Sequence, residues 1–235
     1  MSQPSVKLHY FQAAGRGNQI RLTLAAGGVS FEDEFGTWPP SDEDRAKWSK
    51  LTNNNTTFSV PILTLDEGTD GEKVYLQSSA ILRKAARLGG LMLTLDDEDQ
   101  AAYLQDKLIA DADDLRSASY RGFEIFGAPK GSGENFAKVV FPKHIDNLER
   151  QLVALGGDYF GGSSKLSVAD ITLYDAIVFF GTRLIDGIEG VENPCGPALK
   201  AWIERVESNE GVANYLNGDQ FKALAIVANK SALGY

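Results

Sequence analysis

The chain of 235 residues has a single cysteine, Cys195, and only two histidines, His9 and His144, far apart in sequence. An internal disulfide is excluded, and no Cys/His set has metal-ligand spacing. A reducing compartment and no metal are expected. Nowhere does the sequence hold the roughly 18–20 consecutive apolar residues that a bilayer span requires. Met1 to Val6 lack the basic stretch and apolar core of an export signal. The expectation is a soluble, cytoplasmic protein with no membrane partner. Basic residues are the minority: 23 Lys and Arg against 32 Asp and Glu give a formal net charge of −9. That balance argues against nucleic acid as a partner. An anionic ligand would need local donors, an arginine or a helix N-terminus, because the global field opposes it.

What is present is a globular composition, 43% hydrophobic and 23% charged, in an order that changes near residue 90. Val6, Leu8 and Tyr10 alternate as in a half-buried strand over Val6 to Phe11. Gly15 and Gly17 break that pattern, and Ile20, Leu24 and Ala25 then recur at helical spacing before Gly27-Gly28. Val29 to Phe35 reads as a second strand. The polar stretch Gly36 to Thr57, with Pro39-Pro40 and Asn53-Asn54-Asn55, reads as loop around a short helix near Trp48. Val60 to Leu65 and Lys73 to Leu76 form a hairpin pair of strands, with Pro61 tolerated at a strand start. Ser78 or Ser79 then caps a helix carrying Ile81, Leu82 and Ala85. Beyond the acidic run Asp96 to Asp99 the strand signal fades. Helical spacing takes over through Tyr103 to Leu115, Phe136 to Leu155, Val168 to Ile185 and Ala198 to Val206, with Pro142 as a kink or boundary. The fold class predicted is α/β plus all-α, with an N-terminal module over 4–90 and a helical domain over 97–235.

Several segments, taken in order, carry a family resemblance. Leu8-His9-Tyr10-Phe11, Gly15-Arg16 and Ile20-Arg21-Leu22 open it; Gly28 to Asp33, Val60-Pro61-Ile62-Leu63, Leu76 to Arg83 and Leu166 to Asp170 continue it across most of the chain. Together they resemble the cytosolic glutathione transferases of tyrosine type, most of all the sigma class. The resemblance implies a thioredoxin-like first domain, an all-helical second domain, a homodimer, and glutathione as co-substrate. It casts Tyr10 as the hydroxyl that stabilises the glutathione thiolate, since a hydrogen bond to the charged form lowers a thiol's pKa. Phe11 and Arg16 would flank that site. Val60 and Pro61 resemble the family's cis-proline turn, whose backbone pairs with the cysteinyl part of the ligand. Gln77 and Ser78 would take the γ-glutamyl carboxylate at a helix start. Trp48, thirteen residues before Pro61, matches a tryptophan that packs on the tripeptide, with Trp38 as a rival. Asp111 falls near an acidic residue that reaches the ligand's ammonium group across the dimer.

Two positions depart from the pattern: Thr52 stands where the family has a lysine, and Ser59 where it has a glutamine. Ser167 to Asp170 reads as a capping arrangement, and Asp170→Ala would cost about 1 kcal/mol, or somewhat more if the carboxylate is buried. Phe11, Ala13, Tyr120 and Phe123 are candidates for the wall of an apolar second-substrate site. Three functions fit the resemblance: conjugation of glutathione to small apolar electrophiles, a glutathione-dependent isomerisation of prostaglandin-synthase type, and a non-catalytic carrier or structural role like that of the lens crystallins related to the sigma class. Choice of acceptor resides in pocket shape.

Overall fold

The computed structural model describes residues 4–52, 60–123 and 127–224. They fall into two compact units: the described residues up to Gly90 together with those from Asn214 on, and Leu91–Ala213.

The first unit is built on a four-stranded sheet in the order β2-β1-β3-β4. Strand β1 (Val6–Phe11) runs parallel to β2 (Glu32–Gly36) and antiparallel to β3 (Ile62–Leu65), which pairs antiparallel with β4 (Lys73–Leu76). A parallel β1–β2 pair needs a crossover, and α1 (Gly15–Ala26) supplies it. Helix α2 (Asp42–Leu51) follows β2, and α3 (Ser78–Gly89) follows β4. Val6, Leu8 and Tyr10 are buried as predicted, but so is His9 on the other face of β1, and β3 is buried throughout, so neither strand is half-buried; on α3, Ile81, Leu82 and Ala85 are fully buried. β2 begins at Glu32, three residues later than the sequence suggested, and pairs only with β1.

Helix α1 departs from an amphipathic reading. Asn18, Gln19, Arg21 and Thr23 are buried along with Ile20, Leu22 and Leu24. Buried polar groups cost free energy unless partnered, and these find partners. Thr23 donates to the Gln19 carbonyl at 2.7 Å, and Tyr215 donates to Asn18 Oδ1 at 3.1 Å. Tyr215 belongs to the returning end of the chain, α10 (Glu210–Asn217), followed by α11 (Asp219–Lys222). From there Gln220 donates to Asp33, and Gln12 donates to the Ala223 carbonyl, each at 2.8 Å.

In the second unit α4 (Glu98–Gly122) starts at Asp97, whose carboxylate accepts the Gln100 N–H at 3.0 Å. The run Phe136 to Leu155 is not one regular helix. A short α5 (Ser132–Asn135) leads through a π-helical turn, Phe136–Val140, into α6 (Phe141–Leu155). Pro142 lies in the first turn of α6, directly after the π-helical turn. Likewise α7 (Val168–Tyr174) passes through a wide turn, Asp175–Thr182, into α8 (Arg183–Ile185). Helix α9 (Pro197–Glu207) then packs on α6 and α7. The cap read at Ser167 goes further than a helix start. Asp170, fully buried, accepts from the Ser167 N–H and hydroxyl, from the Phe160 N–H at 2.9 Å and from Trp202 Nε1 at 3.0 Å.

Candidate active site

The strand registers bring the predicted residues to one edge of the sheet. Because β3 runs against β1, with His9 opposite Ile62, the end of β1 lies beside the start of β3. Ile62 is in turn opposite Leu76, the last residue of β4. Tyr10 and Phe11, Val60 and Pro61, and Gln77 and Ser78 therefore line a single edge, although some sixty-eight residues of chain separate the first from the last.

Tyr10 is nearly buried, and its hydroxyl oxygen accepts the backbone N–H of Arg16 at 2.9 Å. Arg16 stands in the first turn of α1, so the donor belongs to the positive end of that helix. An N–H on the oxygen polarises the O–H bond, and the same helix end favours negative charge placed next to it. Two glycines make this approach possible. A Cβ on Gly15, whose φ is +40°, would lie 2.3 Å from the Tyr10 hydroxyl oxygen, and one on Gly17 2.5 Å from the ring.

The Val60–Pro61 peptide is cis, as the resemblance implied. A second cis bond precedes Pro39. Ser78 is not the cap of α3 but its first residue; Gln77, at φ 69°, occupies the cap position and makes no side-chain cap bond. The first N–H groups of α3, which have no intrahelical partners, follow directly on the end of β4, and a helix start of this kind favours negative charge.

The two tryptophans differ sharply. Trp48 is 2% exposed, packed against Gly36 and edge-on to Phe11 at 5.6 Å between centroids. Trp38 is 71% exposed and meets Phe11 edge-on at 4.7 Å. The turn that carries Trp38 is tied by Asp44, which accepts from Thr37 and Ser41 and whose carboxyl those bonds hold down to about 2. Thr52 ends α2, with its hydroxyl on the Ser49 carbonyl at 3.2 Å. Ser59 and the Asn53 to Asn55 run lie outside the described residues.

Asp111 sits on α4 in the second unit and is already paired with Lys107 Nζ at 2.5 Å. Tyr120 rests on Phe180, and Phe123, buried, rests edge-on against Phe136. Ala13 is buried as well. Cys195 is buried too, and burial pushes its thiol up to about 11, so it stays protonated and unreactive.

A group that sequence spacing missed lies on the opposite face of β1. His9 Nε2 is 2.8 Å from Glu67 Oε2 and its Nδ1 is 3.3 Å from Glu34 Oε2. One ligand atom from each of the three residues falls within 4.8 Å of the others. Lys7 lies 3.7 Å from each of those carboxylates, and Lys47 also pairs with Glu34, so ammonium groups already supply the positive charge. Burial lowers the His9 pKa despite the opposing pull of Glu67. The other missed residue is Arg21, the fully buried partner of Asp33.

Comparison with known proteins bears on the family and the fold. Residues 120–219 match the family model described as "Glutathione S-transferase, C-terminal domain". The glutathione S-transferase class-mu 28 kDa isozyme of Schistosoma japonicum is 33% identical over 73% of this chain and 79% of its own length. Among solved structures, a sigma class GST of Fasciola hepatica superimposes with a TM-score of 0.70 at 24% identity, covering 95% of this chain and 98% of its own. The prostaglandin synthase D of Nilaparvata lugens does so with a TM-score of 0.66 at 25% identity, covering 92% and 98%. The chain belongs to the glutathione S-transferase family of enzymes. None of the helices among the described residues is long and apolar enough to cross a membrane.

Proposed function

We propose that the protein conjugates the thiolate of glutathione to small apolar electrophiles, as a cytoplasmic homodimer. The observation that carries this reading is the Tyr10 hydroxyl, held by the Arg16 N–H on the sheet edge shared with cis-Pro61 and the start of α3. Glutathione laid along that edge would place its γ-glutamyl carboxylate at Gln77 and Ser78. Its cysteinyl backbone would lie against Val60, and its sulfur would meet Tyr10. The hydroxyl donates to the sulfur and stabilises the anion, so that more of the bound thiol is ionised near neutral pH. Attack by sulfur then forms the new C–S bond and expels the leaving group, or the negative charge passes to the acceptor. Binding both reactants together supplies the rest of the rate gain. Phe11 and Trp48 build the floor beside the tyrosine. For Asp111 to receive a ligand ammonium group across a dimer, its carboxylate would have to leave Lys107.

A glutathione-dependent isomerisation is favoured by one observation, the likeness to a prostaglandin synthase. It uses the same thiolate and returns glutathione unconsumed, so product analysis separates the two.

The test is conjugation to a generic aromatic electrophile near pH 7, comparing the wild type with Tyr10→Phe. Loss of the hydroxyl should lower kcat/KM by about tenfold or more, about 1.4 kcal/mol of barrier, with glutathione still bound. A wild type that neither binds glutathione nor turns over would leave only the non-catalytic role.

A further inference from the structure

We propose that Arg21 is a positioning residue for the Tyr10 hydroxyl, and that Gln220 extends this control to the C-terminal segment. The inference rests on the transferase reading above.

Arg21 is 0% exposed, so every donor of its guanidinium must be used within the protein. Its Nε lies 2.9 and 2.8 Å from the two oxygens of Asp33. Its Nη1 donates to the Ala13 carbonyl at 2.8 Å and its Nη2 to the Phe11 carbonyl at 3.3 Å. The Phe11 carbonyl ends β1 and the Ala13 carbonyl lies in the irregular loop, residues 12–14, that joins β1 to α1. That loop starts two residues after Tyr10 and ends just before the Arg16 N–H that meets the Tyr10 oxygen. The guanidinium carbon also lies 5.7 Å from the centroid of the Tyr10 ring. Gly17 allows the approach: a Cβ there would lie 2.5 Å from the tyrosine ring and 3.0 Å from Arg21 Nη1.

Fixing both carbonyls fixes the span from Tyr10 to Arg16, and with it the angle at which the hydroxyl meets a sulfur. A lysine cannot replace this arrangement. It is a point charge on a flexible stem, without the planar fork that reaches one carboxylate and two carbonyls together. Asp33 is in turn shared: Gln220 donates to its Oδ2 at 2.8 Å, while Gln12, inside the loop, donates to the Ala223 carbonyl at 2.8 Å. The end of the chain thus holds the loop at two points, one of them through Asp33 and Arg21.

The experiment is a titration of glutathione bound to the enzyme, followed by the ultraviolet absorbance of its thiolate, with kcat and KM measured on the same samples. Arg21→Lys should move the thiol pKa upward toward that of free glutathione. It should also lower kcat/KM by about tenfold, with KM for glutathione changed by less than about threefold. Gln220→Ala, a half-buried site whose loss leaves the Arg21–Asp33 pair in place, should shift the titration the same way by less. A purely structural role would lower the melting temperature and leave both titrations where the wild type has them, and that result overturns the proposal. If Arg21→Lys fails to fold, the Gln220→Ala titration decides alone. A wild-type complex with no thiolate signal would sink the transferase reading and this proposal together; a wild-type signal that neither substitution moves would sink this one only.

Discussion

Each unit of the molecule buries one arginine completely, and the two are used differently. Arg116, in the second unit, spends its donors on carboxylates: Asp113 at 2.6 Å, on the same helix, and the fully buried Asp175 at 2.8 Å, on the wide turn after α7, with Phe180 packed against it. It joins one regular element to another. Arg21, in the first unit, gives one edge to Asp33 and the rest to the carbonyls of Phe11, at the end of β1, and of Ala13, in the loop that follows. A buried charge is costly in both places. Between helices it secures register; beside Tyr10 it adds side-chain bonds to a loop whose own Ala13 N–H donates to the Phe11 carbonyl at 2.7 Å.

The largest break in this comparison should come from Asp175→Ala. It removes the buried carboxylate that pairs with the Arg116 guanidinium, and about 3–5 kcal/mol of stability should be lost in denaturant unfolding. The folded fraction should titrate bound glutathione as the wild type does. A comparable stability loss from Asp33→Ala, but with a displaced thiol pKa, would sharpen the contrast between the two arginines.

Next in size is Asp170→Ala, which strands the N–H groups of Phe160 and Ser167 and the indole of Trp202. Roughly 3 kcal/mol should go, since each stranded buried donor costs about 1–3 kcal/mol. A melting temperature equal to that of the wild type would refute that account. The value exceeds the cap estimate from sequence because spacing showed the Ser167 end of the bond network and not Phe160 or Trp202.

The smallest effect concerns the other face of β1. Burial depresses the pKa of His9 below 6.5, so the unfolded chain takes up this proton first as pH falls. The stability that neutral His9 contributes is complete above pH 6.5 and declines from there downward. His9→Gln removes that titration, so the gap in unfolding midpoint between pH 7.5 and pH 5.5 should narrow in the variant. An equal gap in both proteins would show that other groups carry the acid sensitivity.

The residues on the sheet edge were legible because each leaves a local mark. Tyr10 ends an alternating strand, Pro61 opens another, and Ser78 starts a helix. The resemblance then implied a common purpose for them, which no single mark could. Arg21 stands in one of the resembling segments, but nothing in the sequence around it assigns it a role. An arginine on a helix normally reads as solvated, and its partners lie eight to twelve residues away and, through Gln220, at the far end of the chain. Trp48 and Trp38 could not be ranked by exposure, because the segment around them has no periodicity to show which ring faces inward. The π-helical turns were hidden for a related reason: one extra residue per turn slips the 3.6-residue phase, and the run Phe136 to Leu155 still looks apolar at helical intervals. Glu34 and Glu67 were missed beside His9 because a sheet, not a spacing, brings them together.

The return of the chain end to α1 has a consequence for biosynthesis. Translation delivers Asn18, Gln12 and Asp33 early, while Tyr215, Gln220 and Ala223, which they bond, emerge 187 to 211 residues later. On the ribosome the helical unit is exposed and can begin to fold before the first unit has all of its parts, reversing the usual order in which the leading domain finishes first. A nascent chain stalled short of residue 215 would therefore carry the tyrosine, the proline and the start of α3, yet lack the last bonds that hold the loop beside them.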